Sequence, residues 1–322
     1  MLTQEDVERC QALVYRHVKP TPELCWPVLC EAVGCEVWVK HENHTPIGAF
    51  KVRGGLVYLD EMHRSGDTRE IVTATRGNHG QSIPFAARLY GRTAHVYVPE
   101  GNSVEKNAAM RAWGATLHVA GDDFDAAREA AMAHVARDGG HGVPSFHEHL
   151  VRGVATYGYE LMTAVAELDV IYVPIGQGSG ASGLVAVRDL LGVTTEIVGV
   201  VSTEADSFAL SLEAGRIVST NAANTYADGV ATRTPDPDAF AYLSKGLARV
   251  VRVTDDEVAD ATRLLYRATH NVAEGAGAAA TAALIAEKAS LRGRKAAVIL
   301  SGGNIDAAWF ADILAGRTPT PR

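Results

Sequence analysis

The stretch His44-Thr45-Pro46-Ile47-Gly48-Ala49-Phe50-Lys51-Val52-Arg53-Gly54-Gly55 sets one lysine behind a phenylalanine and ahead of a basic, glycine-rich step. A solvated surface lysine needs no such setting. A lysine at a helix start among apolar neighbours loses hydration, and desolvation favours the neutral amine, which attacks carbonyls and forms Schiff bases. Lys51 is therefore a candidate nucleophile. Taken alone, the same pattern also describes a surface lysine in the first turn of a helix.

Outward from this stretch, apolar runs and helical stretches take turns. Thr3 caps a first helix over Gln4 to His17, with Asp6 near the capping-box position. Alternation predicts strands at Glu36–Lys40, Glu70–Ala74, Ala94–Val98, Ala115–Val119, Val170–Val173, Ile197–Val201, Val250–Val253 and Ala296–Leu300. Helical periodicity fills Lys51–Met62, His79–Tyr90, Ser103–Trp113, Phe124–Arg137, Leu150–Glu167, Gly180–Leu191, Asp255–His270, Gly275–Lys288 and Ile305–Ala315. Strand and helix in strict turn predict an α/β fold of parallel sheets covered on both faces. A compact β-α-β-α-β unit fits about 50–150, and residues 1–49 plus 151–322 supply a second, larger one. No low-complexity linker divides them, so the expectation is two interleaved domains in a single catalytic unit spanning 1–322.

Composition agrees. At 322 residues the chain is long enough for a sizeable core, and 47% apolar with 21% charged residues suits a globular enzyme. Net charge is −8 with the lysines and arginines dispersed, so no basic block points to nucleic acid. No apolar run approaches the roughly eighteen residues of a membrane span. Met1 to Cys10 is polar and acidic, unlike a signal peptide, and the cytoplasm is the expected location. Cys10, Cys25, Cys30 and Cys35 match no zinc signature and read as reduced, mostly buried thiols. In His147-Glu148-His149 the two histidines would not share a helix face, so they read as a loop beside the active site, structural in the first place or else touching substrate, rather than a metal site. No metal-ligand set is expected.

Three further loops follow strands, where ligands gather in open α/β sheets. Thr75-Arg76-Gly77-Asn78-His79-Gly80 joins a strand to a helix start, which offers backbone N–H groups to an anion, or is an ordinary glycine turn. Gly176-Gln177-Gly178-Ser179-Gly180 follows an apolar strand and opens a helix; its glycines let the backbone approach a phosphate closely. Ser301-Gly302-Gly303-Asn304 ends the last strand with a hydroxyl able to meet a heteroaromatic ring edge.

The order of these loops, with Glu42-Asn43 ahead of Lys51, Ala227-Asp228-Gly229-Val230, and Glu274 with Gly277, resembles the threonine dehydratase and serine racemase family of fold-type II pyridoxal-phosphate enzymes. The resemblance runs from about Thr21 to Asp306. It implies the tryptophan synthase β-like arrangement, with the larger domain binding pyridoxal 5′-phosphate, and commonly a homodimer. It also implies roles. Lys51 holds the cofactor as a Schiff base and later takes the substrate Cα proton. Phe50 flanks the ring, and Asn78 bonds its phenolic oxygen. Gly176, Gln177, Gly178, Ser179 and Gly180 hold the phosphate, while Glu274 orders the ring side. Ser301 meets the pyridine nitrogen; a serine there, unlike an aspartate, need not keep the nitrogen protonated, which favours rapid loss of a β-substituent over a long-lived carbanion. Thr75, Arg76, Gly77 and His79 face the substrate carboxylate.

The implied reaction is dehydration of a β-hydroxy amino acid to a 2-oxo acid and ammonia, with no nucleic-acid or membrane partner. Two positions depart from the pattern. Serine racemases carry a second serine where this chain has Arg76, and an arginine stays protonated and cannot act as that base. Arg76 either recognises a second polar or anionic group on the substrate, such as that of 3-hydroxyaspartate or a phenylserine-like compound, or points away. Asn224 stands where some relatives place a glutamate of a cation site near Asp228. A racemase or β-replacement enzyme on the same scaffold is the alternative, and a non-catalytic binding protein of this fold is the reading from a different class.

Overall fold

The structure, a computed structural model, describes residues 2–321. Its strands are β1 (Glu23–Cys25), β2 (Glu36–His41), β3 (Ile71–Ala74), β4 (Ala94–Val98), β5 (Ala115–Val119), β6 (His141–Gly142), β7 (Val170–Pro174), β8 (Glu196–Ser202), β9 (Arg249–Val253) and β10 (Lys295–Leu300). They form a six-stranded sheet, β1-β2-β10-β7-β8-β9, and a four-stranded one, β5-β4-β3-β6. The helices are α1 (Gln4–Val14), α2 (Pro27–Val33), α3 (Lys51–Arg64), α4 (Asn78–Ala87), α5 (Val104–Ala112), α6 (Phe124–Asp138), α7 (Glu148–Ala164), α8 (Ser179–Leu191), α9 (Ser207–Ala214), α10 (Pro237–Gly246), α11 (Asp255–Thr269), α12 (Gly275–Ala286) and α13 (Ala307–Leu314). Among the described residues no helix is long and apolar enough to cross a membrane.

The sheets are those the alternation predicted, with one exception. β1 pairs antiparallel with β2, at an edge. Every other pairing is parallel. Their strands read as near-continuous apolar runs because helices cover both faces: Tyr172, Val198, Val200 and Val298 pack against α11 and α12 on one side, while Ile171, Val173, Ile197 and Ile299 pack against α7 and α8 on the other. Thr3 and Asp6 form the expected reciprocal capping box.

Three helices and two strands were not anticipated. α2 is only seven residues long, too short for a periodic signal, although Pro27 in its first turn and left-handed Gly34 (φ +86°) frame it. α10 likewise starts with Asp236 capping two N–H groups ahead of Pro237. α9, like α2, is short, and β1 and β6 hold three and two residues. The expectation of mostly buried cysteines is corrected. Only Cys10 is buried; Cys25 lies exposed on edge strand β1, its Sγ 3.4 Å from that of Cys30.

The largest fully buried side chain is that of Arg53. Residues two apart on a helix point to nearly opposite sides, so Lys51 and Arg53 leave α3 in different directions. The Arg53 guanidinium donates from Nε to Glu42 Oε2 (2.8 Å), from Nη2 to Glu42 Oε1 (3.0 Å), and from Nη1 and Nη2 to Glu160 (2.6 and 2.9 Å). Lys40, also fully buried, donates to Glu160 Oε2 at 2.7 Å. Two buried cations thus meet two buried carboxylates, on β2, on α3, on α7 and just past β2. Burial pulls the guanidinium toward neutrality, but Glu42 and Glu160 outweigh it and hold its pKa above the ordinary value. Removing one partner of such a network strands a buried charge and costs about 3–5 kcal/mol. Arg53→Met is therefore expected to lower denaturant-unfolding stability by that amount, and Arg53→Lys to recover only part, because a lysine cannot serve two carboxylates bidentately. Unchanged unfolding of Arg53→Met, measured by circular dichroism, would contradict this role.

Candidate active site

Four chain segments converge at the carboxyl ends of the strands. α3 begins at Lys51, α4 begins after β3 and the Thr75–Gly77 turn, α8 begins after β7 and the glycine loop, and Ser301 directly follows β10. Between them lies a cavity of about 120 Å³. Its wall contains every residue that the resemblance gave a cofactor or substrate role: Phe50, Lys51, Thr75, Arg76, Gly77, Asn78, His79, Gly176, Gln177, Gly178, Ser179, Gly180, Glu274 and Ser301. It adjoins a wider cleft of about 940 Å³, also lined by Arg76 and Gln177.

Helix starts dominate this cavity. α3, α4 and α8 all begin without a side-chain cap. Their first N–H groups are left to a ligand, and the helix dipoles favour an anion. The glycine loop is built for close approach. Gly178 caps α8 at φ +96°, a left-handed conformation. A Cβ on Gly176 would stand 2.2 Å from the Gly229 carbonyl oxygen, and one on Gly180 would press on the Tyr157 hydroxyl and the Phe50 ring at 3.3 and 3.6 Å.

Lys51 Nζ reaches this loop, donating to Ser179 Oγ at 3.2 Å and lying 5.0 Å from the centre of the Phe50 ring. Burial lowers its pKa to about 8. Desolvation, not a neighbouring cation, is the cause, as Phe50 and the packed helix start predict. His79 is buried with its Nε2 unpartnered among the described residues. Burial and the nearby Lys51 push His79 down to about 3, so its ring is neutral.

Asn78 and Glu274 form a second group. Asn78 Nδ2 donates to Glu274 Oε1 at 2.5 Å, and Asn304 Nδ2 donates to Asn78 Oδ1 at 2.8 Å. Burial raises the Glu274 pKa against the pull of Lys106 and Asn78. Lys106 is the site residue that the sequence reading missed. Its ammonium lies 2.9 Å from Asp228 and 3.2 Å from Glu274, and those carboxylates outweigh burial and keep it protonated. Asp228, weighed as a cation ligand, thus carries a lysine. The available signal was positional: Lys106 sits in the first turn of α5, capped by Ser103, at the carboxyl end of β4.

Of the two roles weighed for His147 and His149, substrate contact and structure, the structure shows the second. His147 caps α7, accepting from the His149 N–H at 3.1 Å, and both rings pack on Tyr58. Neither lines the cavity, whereas Ser145 does.

A parallel α/β fold with a desolvated lysine of lowered pKa beside an uncapped helix start and a glycine cradle suits an enzyme that captures an anionic carbonyl compound covalently. The chain matches the model of the pyridoxal-phosphate dependent enzyme family over residues 14–302, and it belongs to that family. It is similar to the L-threonine ammonia-lyase of Thermotoga maritima, 33% identical over 307 residues that cover 95% of this chain and 76% of the relative. It is also similar to the L-threo-3-hydroxyaspartate ammonia-lyase of Saccharomyces cerevisiae, 28% identical over 321 residues, 99% of this chain and 98% of the relative. The processed form of threonine deaminase isoform 2 from Solanum lycopersicum superposes with a TM-score of 0.89 at 25% identity, covering 98% of this chain and 94% of that one. The protein is a fold-type II enzyme whose cofactor is pyridoxal 5′-phosphate.

The site fits that cofactor on its own evidence. The glycine cradle admits no side chain at Gly176, the helix starts await an anion, and the buried His79 Nε2 has no hydrogen-bond partner among the described residues. A pKa near 8 makes a testable difference. In the cofactor-free protein, modification of Lys51 by an amine-directed reagent, followed by peptide mass spectrometry, is expected to rise through a midpoint near pH 8. A fully hydrated lysine side chain titrates at about 10.4. A Lys51 midpoint there would mean a hydrated, ordinary amine.

Proposed function

We propose that this protein is a lyase that converts a β-hydroxy amino acid to a 2-oxo acid and ammonia. The observation that carries the reading is the placement of the desolvated Lys51 amine beside Ser179, at the uncapped start of α8. The names of the Thermotoga and Saccharomyces relatives support the reaction class. When bound, pyridoxal phosphate supplies an electron sink that acidifies the substrate Cα–H and assists loss of a β-substituent.

The chain's own residues divide the remaining work. The backbone of Gly176 to Gly180 binds the cofactor phosphate at the start of α8. Phe50 flanks the ring, Asn78 holds its phenolic oxygen with Glu274 behind it, and Ser301 offers a neutral hydroxyl to the ring nitrogen. Thr75, Gly77 and His79 line the turn that receives the substrate carboxylate at the start of α4. The Lys51 amine, neutral above pH 8 or so, takes the Cα proton. The Cα proton and the β-hydroxyl thus depart, in sum, as one water, and a second water hydrolyses the enamine left behind to the 2-oxo acid and ammonia.

Arg76 decides the substrate within this class. It lines both the cofactor cavity and the wide cleft beside it, where the far end of a substrate would lie. Its planar guanidinium suits a second carboxylate by bidentate contact. A 3-hydroxyaspartate-like dianion is therefore the favoured substrate, ahead of serine and threonine. We also take the working form to be a cytoplasmic homodimer that acts on small molecules and not on nucleic acid or membranes, as the resemblance implies.

The test is oxo-acid and ammonia release by the cofactor-loaded protein across both stereochemical series of serine, threonine, 3-hydroxyaspartate and phenylserine. Borohydride reduction with peptide mass spectrometry locates the cofactor linkage at Lys51. Arg76→Ala is expected to cut kcat/KM for the dicarboxylate by about tenfold or more while leaving serine largely unaffected. An unchanged preference in Arg76→Ala removes the selector. No oxo acid from any substrate, with the cofactor linked at Lys51, refutes dehydration and leaves racemisation or β-replacement.

A further inference from the structure

We propose that His95, His118 and His134 form a binding site for one borderline divalent cation of the zinc type, separate from the cofactor cavity. One ring nitrogen from each lies within 4.8 Å of the others. The register explains the convergence. β4 and β5 pair with Tyr97 opposite His118, so His95, Tyr97 and His118 share one face of the small sheet. α6 packs on that face and contributes His134. None of the three lines the cofactor cavity.

The spacing suits a first coordination sphere. His95 Nδ1 and His118 Nε2 are 3.0 Å apart. Nitrogens bound to tetrahedral zinc at about 2.0–2.1 Å stand roughly 3.3 Å from each other, so small ring rotations suffice. A carboxylate is at hand as a fourth ligand: Glu70 Oε2 lies 3.3 Å from His134 Nε2. Asp138, one turn beyond His134 on α6, lies 3.5 Å from the same nitrogen. The supporting shell is present too. The Tyr97 hydroxyl meets His134 Nδ1 at 2.9 Å, which leaves Nε2 facing the carboxylates.

Three imidazoles and a carboxylate select zinc, cobalt, nickel or copper over magnesium and calcium, which prefer all-oxygen shells. The site would staple edge strand β5 to β4 and α6, where β5 is only partly covered.

The experiment uses the holoenzyme after dialysis against chelator. Zinc binding is followed by calorimetry, and cobalt substitution by its visible spectrum. About one equivalent per chain is expected, with a tetrahedral cobalt spectrum and a zinc-dependent rise in thermal midpoint of a few degrees. His118→Ala, at a partly exposed position, is expected to weaken binding by about tenfold or more and to abolish the thermal rise, with oxo-acid release unaltered. His95→Gln serves as the second variant should His118→Ala fold poorly. Binding undiminished in both histidine variants overturns the proposal, as does loss of binding in Cys25→Ser/Cys30→Ser instead. Absence of stoichiometric binding overturns it as well.

Discussion

The structure hangs on the buried guanidinium of Arg53. It is a fork with five donors, and Glu42, Glu160 and Thr156 take them without a water-facing gap. Glu42 follows the six-stranded sheet's β2, Arg53 belongs to α3, and Glu160 to α7. One interaction therefore fixes where α3 starts relative to that sheet. Lys51, two residues earlier, inherits this placement. A hydrophobic contact of equal size would hold the helix as firmly but would specify its rotation less sharply, since a bidentate pair has one geometry. The basic residue after the lysine in the motif is thus an anchor that aims the nucleophile.

The surrounding charges follow one logic. Buried cations that serve structure are matched: Arg53 and Lys40 by Glu42 and Glu160, and Lys106 by Asp228 and Glu274. The positive potential left over comes from helix starts without caps. Such dipoles attract anions at fixed points and do not titrate. A free lysine or arginine at the phosphate loop would add charge close to Lys51 and depress its pKa further by repulsion. The loop uses backbone instead, and desolvation alone sets the Lys51 amine near 8.

Much of this was legible in the chain because each segment obeyed its local rule. Strand β4 matched its alternating run residue for residue, and α3 opened at Lys51 as its spacing predicted. All three loops singled out at the strand ends contribute residues to one cavity, since a parallel α/β sheet sends those loops to one side. What stayed hidden was set by tertiary partners. β6 is two residues long and exists by pairing with β3. Lys106 looks like any helix lysine until Asp228 and Glu274, more than a hundred residues away, close on it. The start of α7 at Glu148, two residues ahead of the expected Leu150, was hidden because capping by a histidine carries no strong sequence signal, whereas Thr3 and Ser103 do.

The same contrast explains why Lys51 and Lys106, both in the wall of one cavity, carry opposite chemistry. Both lose hydration, which by itself favours the neutral amine. Lys106 meets two carboxylates at salt-bridge distance, and their attraction exceeds the desolvation cost, so it remains an ammonium. Lys51 meets a serine hydroxyl and the face of Phe50. Neither supplies a full negative charge, so desolvation prevails and the amine becomes a nucleophile near neutral pH. Exchanging the two settings would exchange the two roles. The reactive lysine is therefore the one from which the fold withholds a carboxylate, and the glycine loop, lacking any acidic side chain from Gly176 to Gly180, is what does the withholding.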